Sequence, residues 1–286
     1  MPALTSPGTW SRRDVLKGLA AAGAGVITGA ADHGYVYQRR HLTVTRQTIQ
    51  VSGLSAALTG LRVGLLTDLH RSDTVPHEMA DAAVQALLAE DPDLIVLGGD
   101  YVTWGGGRSR YFVTPAAESL APLRARHGVF AVLGNHDDDH DMPAALQRNG
   151  FTVLRDARTR IVVRGEPLDL AGVRFWTRRA PDIARVIKGA SRNLILLAHN
   201  PARLPEAVAL TVPLMLSGHT HGGQIVLPWL GAVAAREFPV IEGAARREGT
   251  TIFVSRGVGT VYIPIRWNCP PEIAVLTLAP ITPSLG

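Results

Sequence analysis

Short apolar runs, each followed by a polar turn, set the rhythm of the chain. Leu61–Thr67, Leu94–Leu97, Val129–Leu133, Leu194–Ala198 and Leu214–Leu216 are nearly continuous apolar stretches of strand length. That pattern belongs to strands buried on both faces. Leu168–Trp176 reads as an alternating strand, and Thr251–Val254 and Ile273–Leu278 as late strands. Helical periodicity fills the gaps. Pro76–Glu90 predicts a helix that starts on proline and places Met79, Ala82, Ala83, Ala86 and Leu87 on one face. Pro115–Arg126, Met142–Asn149 (stopped by Gly150) and Pro181–Lys188 predict three more. Alternation of strand and helix argues an α/β chain. The second half is poorer in helix, which predicts a second sheet and hence a layered β-sandwich flanked by helices.

The first 31 residues break this rhythm. Arg12-Arg13-Asp14-Val15-Leu16-Lys17 is followed by a small-residue apolar stretch, 18–31, that is too short to span a bilayer as a helix. A basic start and a short apolar core suit an export signal, and the paired arginines resemble the twin-arginine type. The expected organisation is an export signal or N-terminal anchor over 1–31, a linker and lead-in strand over 32–60, and one domain over 61–286. The expected location is across, or anchored to, the cytoplasmic membrane on its outer side, with the twin-arginine translocation machinery as a partner.

Composition changes the picture in two ways. The single cysteine, Cys269, excludes an internal disulfide and any zinc site built on several thiolates. The net charge of +5 is modest. No basic stripe with interleaved aromatics marks a nucleic-acid path, so no nucleic-acid partner is expected.

The candidate chemistry sits just after the strands. Asp68-Leu69-His70, Gly98-Gly99-Asp100, Gly134-Asn135-His136-Asp137, Ala198-His199-Asn200 and Gly218-His219-Thr220-His221 each follow an apolar run. In α/β sheets ligands bind outside the carboxyl ends of strands, so these five turns can converge. Asp68 and His70, like His219 and His221, are two residues apart, which in extended backbone aims both at one locus. Carboxylate, imidazole and amide oxygen suit divalent transition metals such as Mn, Fe or Zn. Seven such groups exceed one tetrahedral ion and suit two ions bridged by a carboxylate such as Asp100.

The ordered set Asp-x-His, Gly-Asp, Gly-Asn-His-Asp, a lone His after a strand and Gly-His-x-His resembles the calcineurin-like metallophosphoesterase superfamily over about residues 61–225. Gly222-Gly223-Gln224, Ser255-Arg256-Gly257 and Asn268-Cys269-Pro270-Pro271-Glu272-Ile273 resemble its bacterial phosphodiesterase branch, whose members often carry a twin-arginine signal. The resemblance implies a four-layer α/β/β/α sandwich. It implies Asp68, His70, Asp100 and His221 as ligands of one metal, and Asp100, Asn135, His199 and His219 as ligands of the second. It implies that His136 contacts the substrate phosphate or protonates the leaving oxygen. The implied reaction is phosphodiester hydrolysis by a metal-bridging hydroxide. Phosphomonoesterase or nucleotide-hydrolase activity on the same fold is the alternative, and a non-catalytic binding scaffold is the alternative of another class.

Several features have plainer readings. His33, His41, His77, His127 and His140 match no motif and are read as surface or hydrogen-bonded residues. Asp137-Asp138-Asp139 with Asp141 reads as a solvated turn at a helix start, with Asp137 a candidate to orient His136. Cys269 reads as structural. Pro228-Trp229-Leu230 is an apolar loop close to the candidate site, open to a lipid substrate, a membrane surface or simple packing. Trp104, before Gly105-Gly106-Gly107, is a candidate mobile rim; the run lacks the Gly-Lys-Ser/Thr ending of a P-loop.

Overall fold

A computed structural model describes residues 32–103 and 109–281, with scattered positions between 13 and 29. The leader and Trp104 therefore lie outside the residues described continuously. Strands β1 (Thr43–Val51), β2 (Arg62–Leu66), β3 (Leu94–Leu97), β4 (Val129–Ala131) and β5 (Thr152–Val153) are interleaved with helices α1 (His77–Ala89), α2 (Ser109–Leu120) and α3 (Asp141–Arg148). Then come β6 (Ala157–Val163), β7 (Glu166–Val173), α4 (Ala180–Ile187), β8 (Leu194–Ala198), α5 (Leu204–Ala209) and β9 (Leu214–Ser217). The remainder is β10 (Val226–Leu227), β11 (Gly231–Ala232), β12 (Gly243–Arg247), β13 (Thr250–Val254) and β14 (Glu272–Pro280).

Two six-stranded sheets form, in the orders β1-β14-β2-β3-β4-β5 and β12-β13-β9-β8-β7-β6, with β10-β11 as a separate ribbon. Alternate residues of each central strand enter different cores. In β3, Leu94 and Val96 face the second sheet, while Ile95 and Leu97 pack with α1, α2 and α3. In β8, Ile195 and Leu197 face the first sheet, while Leu194, Leu196 and Ala198 pack with α4 and α5. Three apolar layers thus separate four layers of structure, α/β/β/α. Continuous apolar runs are what this arrangement requires, because neither face of a central strand meets water.

Several sequence expectations shift. The buried stripe of α1 is Ala80, Ala83, Val84 and Leu87 rather than the set containing Ala82, which is exposed. The spacing i, i+3, i+4, i+7 is better satisfied by this stripe. Helix α2 begins six residues before Pro115 and ends at Leu120. Proline marks its interior rather than its first turn and forgoes one backbone hydrogen bond there. Strand β7 does not alternate: Leu168 to Val173 are all buried, because it lies between β6 and β8 under α4. Strands β1, β6 and β12 and helix α5 carry too many polar or small residues to show a clear period. Among the described residues no helix is long and apolar enough to cross a membrane.

Candidate functional site: a buried Asp/His/Asn cluster at the strand ends

Strands β2, β3 and β4 are parallel neighbours in one sheet, and β8 and β9 in the other. Their carboxyl ends open towards one point, and the turns there are stitched together. Asp68 N donates to Gly99 O (2.9 Å), His70 N to Asp100 O (3.0 Å) and Gly218 N to His199 O (3.0 Å). Two bonds cross between the sheets: His219 N donates to the Asp68 carboxylate (3.0 Å), and His199 Nδ1 lies 2.8 Å from Gly98 O. The latter turns His199 Nε2 inward.

The paired spacings work by a different geometry from the expected one. Asp68 (φ 54°), His70 (51°), Asp100 (55°), His219 (74°) and His221 (52°) all adopt left-handed backbone rather than extended strand. Each costs of order 1–3 kcal/mol unless the surroundings fix it, and such strain gathers at functional sites. Asp and His tolerate this region better than most residues. Glycines make room for the carboxylates. A Cβ on Gly134 would stand 2.0 Å from Asp100 Oδ1, and one on Gly218 would stand 2.2 Å from Asp68 Oδ2.

Two clusters of potential ligand atoms result. Asp68, His70 and His221 form one, and Asp100, His199 and His219 the other, with the ligand atoms of each within 4.8 Å of one another. Asp100 Oδ2 lies between the clusters, 3.1 Å from His199 Nε2 and 3.5 Å from His70 Nε2. His221 Nε2 is 3.5 Å from Asp68 Oδ1 and 3.0 Å from His70 Nε2. His136 is buried; its backbone N donates to Asp100 Oδ1 (2.8 Å), and its ring stands edge-on to His70 at 4.9 Å.

Two buried atoms here have no hydrogen-bond partner among the described residues: Asn135 Oδ1 and His221 Nδ1. An orphaned buried acceptor costs about 1–3 kcal/mol. That cost falls away for donor atoms that meet a cation, so the set fits divalent metal.

The electrostatics favour neutral imidazoles at His70, His219 and His221 and an ionised carboxylate at Asp100. Burial pushes His70 and His219 down to about 3, and His221 well below the ordinary histidine value. Burial opposes ionisation of Asp100, but the adjacent His199 and His70 outweigh it and hold this carboxyl far below the usual range. Burial likewise opposes protonation of His199, yet Asp100 and Asp68 push it up to about 10. Burial raises Asp68 to about 6. A metal would take the place of the proton that His199 otherwise holds between two acids.

Asp137 has a backbone role through its carboxylate. That group accepts from Asp100 N (2.7 Å), Tyr101 N (2.7 Å) and Gly134 N (2.9 Å), and so clamps the β3 turn to the β4 turn. Asp138 caps the start of α3, accepting from His140 N and Asp141 N; the exposed Asp138, His140 and Asp141 bond among themselves. Cys269 is buried, its thiol donating to His221 O (3.1 Å). Sequence reasoning missed Thr103, whose Oγ1 lies 3.2 Å from His70 Nδ1. It also missed Arg266, a fully buried guanidinium that donates to the carbonyls of Arg256, Gly257, Gly259 and Cys269. No local pattern marks either residue: Thr103 meets a partner 33 positions away, and Arg266 binds backbone carbonyls, which carry no sequence signature.

The calcineurin-like phosphoesterase family pattern matches residues 61–223, which contain every cluster residue. The chain is 32% identical over 281 residues to the uncharacterized metallophosphoesterase YkuE of Bacillus subtilis (strain 168), covering 94% of this chain and 97% of the relative. It is 32% identical over 228 residues to phosphodiesterase YaeI of Escherichia coli (strain K12), covering 76% of this chain and 82% of the relative. It is also 32% identical to an uncharacterized metallophosphoesterase of Helicobacter pylori (strain ATCC 700392 / 26695), where it covers 77% of this chain but only 60% of the relative's length. Among solved structures, the NAD nucleotidase of Haemophilus influenzae superposes with a TM-score of 0.48 at 14% identity, over 69% of this chain and 45% of that one. The chain belongs to the calcineurin-like phosphoesterase family and is a phosphoester hydrolase.

Proposed function

We propose that the chain is a dinuclear metal-dependent phosphodiesterase. Asp68, His70 and His221 would hold one divalent ion, Asn135, His199 and His219 would hold the second, and Asp100 would serve both. The observation that carries this reading is the position of Asp100 Oδ2 between two ligand clusters; Asn135 Oδ1, buried and partnerless, sits on the same turn as His136, whose backbone N donates to Asp100. Mn, Fe and Zn all suit the donor set. When bound, the ions supply Lewis acidity and a nucleophilic water at neutral pH.

The reaction is hydrolysis: water adds to phosphorus, one P–O ester bond breaks, and a phosphomonoester and an alcohol leave. The chain's own groups orient and protonate. Burial and a backbone tie to Asp100 hold His136 at the edge of the clusters, where its ring hydrogen-bonds phosphate or delivers the proton to the departing oxygen. Thr103 against His70 Nδ1 and Gly98 O against His199 Nδ1 fix the tautomers that leave Nε2 facing inward.

The substrate reading is a diester rather than a monoester, with phospholipid or lipid-linked diphosphate as the amphiphilic form. Export by a twin-arginine signal, or anchoring by it, places the site outside the cytoplasmic membrane in this reading.

The test is metal stoichiometry together with turnover. Wild type is expected to bind two divalent ions per chain and to hydrolyse diesters faster than monoesters and nucleotides. Asp100→Asn is expected to lose both ions. Retention of one tight ion by that variant refutes the shared-ligand role. A wild-type chain that binds no divalent ion supports the scaffold reading instead.

A further inference from the structure

Beside the metal-ligand clusters lies a cavity of about 560 Å³, inside the usual range of about 300–1,000 Å³ for small-molecule sites. It shares His219 and His221 with the clusters. Away from them its walls are mostly apolar, with Ile225, Leu227, Val233, Phe238, Val261 and Ile263, while Thr220, Gln224 and Glu237 are its other polar lining residues. Its mouth carries Tyr262, whose ring stands 6.3 Å from that of His136.

The rim is apolar as well. The turn between β10 and β11 holds Trp229, fully exposed at a φ of 64°, with Leu227, Leu230, Val233, Tyr262 and Ile263 also exposed around the mouth. Among the described residues nothing covers them. Monomeric proteins rarely leave such clusters open unless something docks there.

The chain indicates what docks. The hairpin is fastened to the segment 265–268: Val226 N donates to Trp267 O (2.9 Å), and Asn268 Nδ2 to Val226 O (3.1 Å). The helical turn His33–Tyr37 is fastened to the same segment. Arg266 N donates to Gly34 O (3.2 Å), and the His33 ring meets Trp267 edge-on at 5.6 Å. That turn exposes Tyr35, Val36 and Tyr37 and directly follows the apolar stretch 18–31. Trp and Tyr prefer the membrane–water boundary, where ring and polar tip are both satisfied. Arg40 and Arg236, both exposed, lie close by in the chain, and the net charge of +5 adds attraction to an anionic surface.

We propose that this face docks on a phospholipid bilayer, and that the cavity takes one acyl chain of a phospholipid whose phosphodiester reaches the metal-ligand clusters. The proposal rests on the phosphodiesterase reading for its second half and on exposure alone for its first. Trp229 and Leu230 enter the interface, and Leu227, Val233 and Ile263 line the path of the chain.

Two measurements on the full chain test it. The first is co-sedimentation with phosphatidylglycerol/phosphatidylcholine vesicles, which needs no activity. Binding that falls at least fivefold in Trp229→Ala supports docking; wild-type protein that stays in the supernatant refutes it. The second uses p-nitrophenyl alkyl phosphodiesters, from methyl to octyl, kept below micelle formation. Each buried methylene favours binding by about fourfold, so kcat/KM is expected to climb steeply with chain length. Val233→Asp is expected to flatten the octyl-to-methyl ratio. A flat series with a turned-over methyl ester refutes the acyl slot and leaves the phosphodiesterase reading standing. No turnover of any member refutes that reading, and the vesicle result then decides the docking half alone.

Discussion

Gly134→Ala is a demanding probe of the site, because one methyl group is aimed at its central carboxylate. The added Cβ would fall 2.0 Å from Asp100 Oδ1, 2.6 Å from Cγ and 2.7 Å from the Asp100 backbone N. Relief to an ordinary contact of about 3.4 Å asks for a displacement of roughly 1 Å or more. Asp100 has little freedom to give way. Its Oδ1 accepts from His136 N and its backbone N is held by Asp137. Overpacking of this kind costs about 1–3 kcal/mol of stability. A misplacement of about 1 Å at a reacting centre costs on the order of 10²-fold in rate. The assay pairs thermal unfolding in chelator with diester turnover in saturating Mn²⁺. Gly249→Ala is the control, since a Cβ there meets nothing within 4 Å; it is expected to shift stability by less than about 1 kcal/mol. If Gly134→Ala unfolds earlier yet turns over diester at the wild-type rate, Asp100 does not serve the chemistry.

Three further outcomes follow from the same structure. His136→Ala is expected to keep its metal content and lose about 10²–10⁴-fold in kcat, read by metal analysis beside steady-state rates; an unchanged rate on several diesters removes His136 from the mechanism. Metal-free protein is expected to lose stability on acidification below about pH 6.5. His70 and His219 sit near 3 when folded, so between about 6.5 and 3 the unfolded chain holds protons there that the folded one does not. Asp68 and Asp137, raised to about 6 and about 7, oppose this with two protons, and His221, held well below the ordinary histidine value, makes it three on the other side; melting temperatures from pH 8 to 4 in chelator give the sign. Arg266→Met is expected to cost more than about 3 kcal/mol, because it leaves several buried carbonyls without donors. Denaturant midpoints measure it.

The central strands were legible because burial on both faces writes itself as unbroken apolar runs, as in Leu94–Leu97 and Leu194–Ala198. The candidate ligands were legible because each follows such a run within a few residues. The edges were not. Strand β1 reads Thr-Val-Thr-Arg-Gln-Thr-Ile-Gln-Val, half solvated along most of its length, so its apolar signal is weak. The means of convergence was hidden too. Spacing alone suggests extended backbone at Asp68 and His70, whereas left-handed turns, locked by bonds to Gly99 and Asp100, bring them together. Such turns depend on partners some thirty residues away, which no local period records. The clamp at Asp137 escaped for the same reason.

The seating of β14 has a consequence for assembly. It lies between β1 and β2, parallel to the first and antiparallel to the second, pairing Glu272 with Thr43. The two halves of that register come from opposite ends of the chain, so this layer depends on contacts of very long sequence separation, the slow kind to establish. Until the last strand inserts, two neighbours both expose raw hydrogen-bonding borders. A chain nicked ahead of residue 272 would keep them exposed, and such borders invite pairing with other molecules and precipitation.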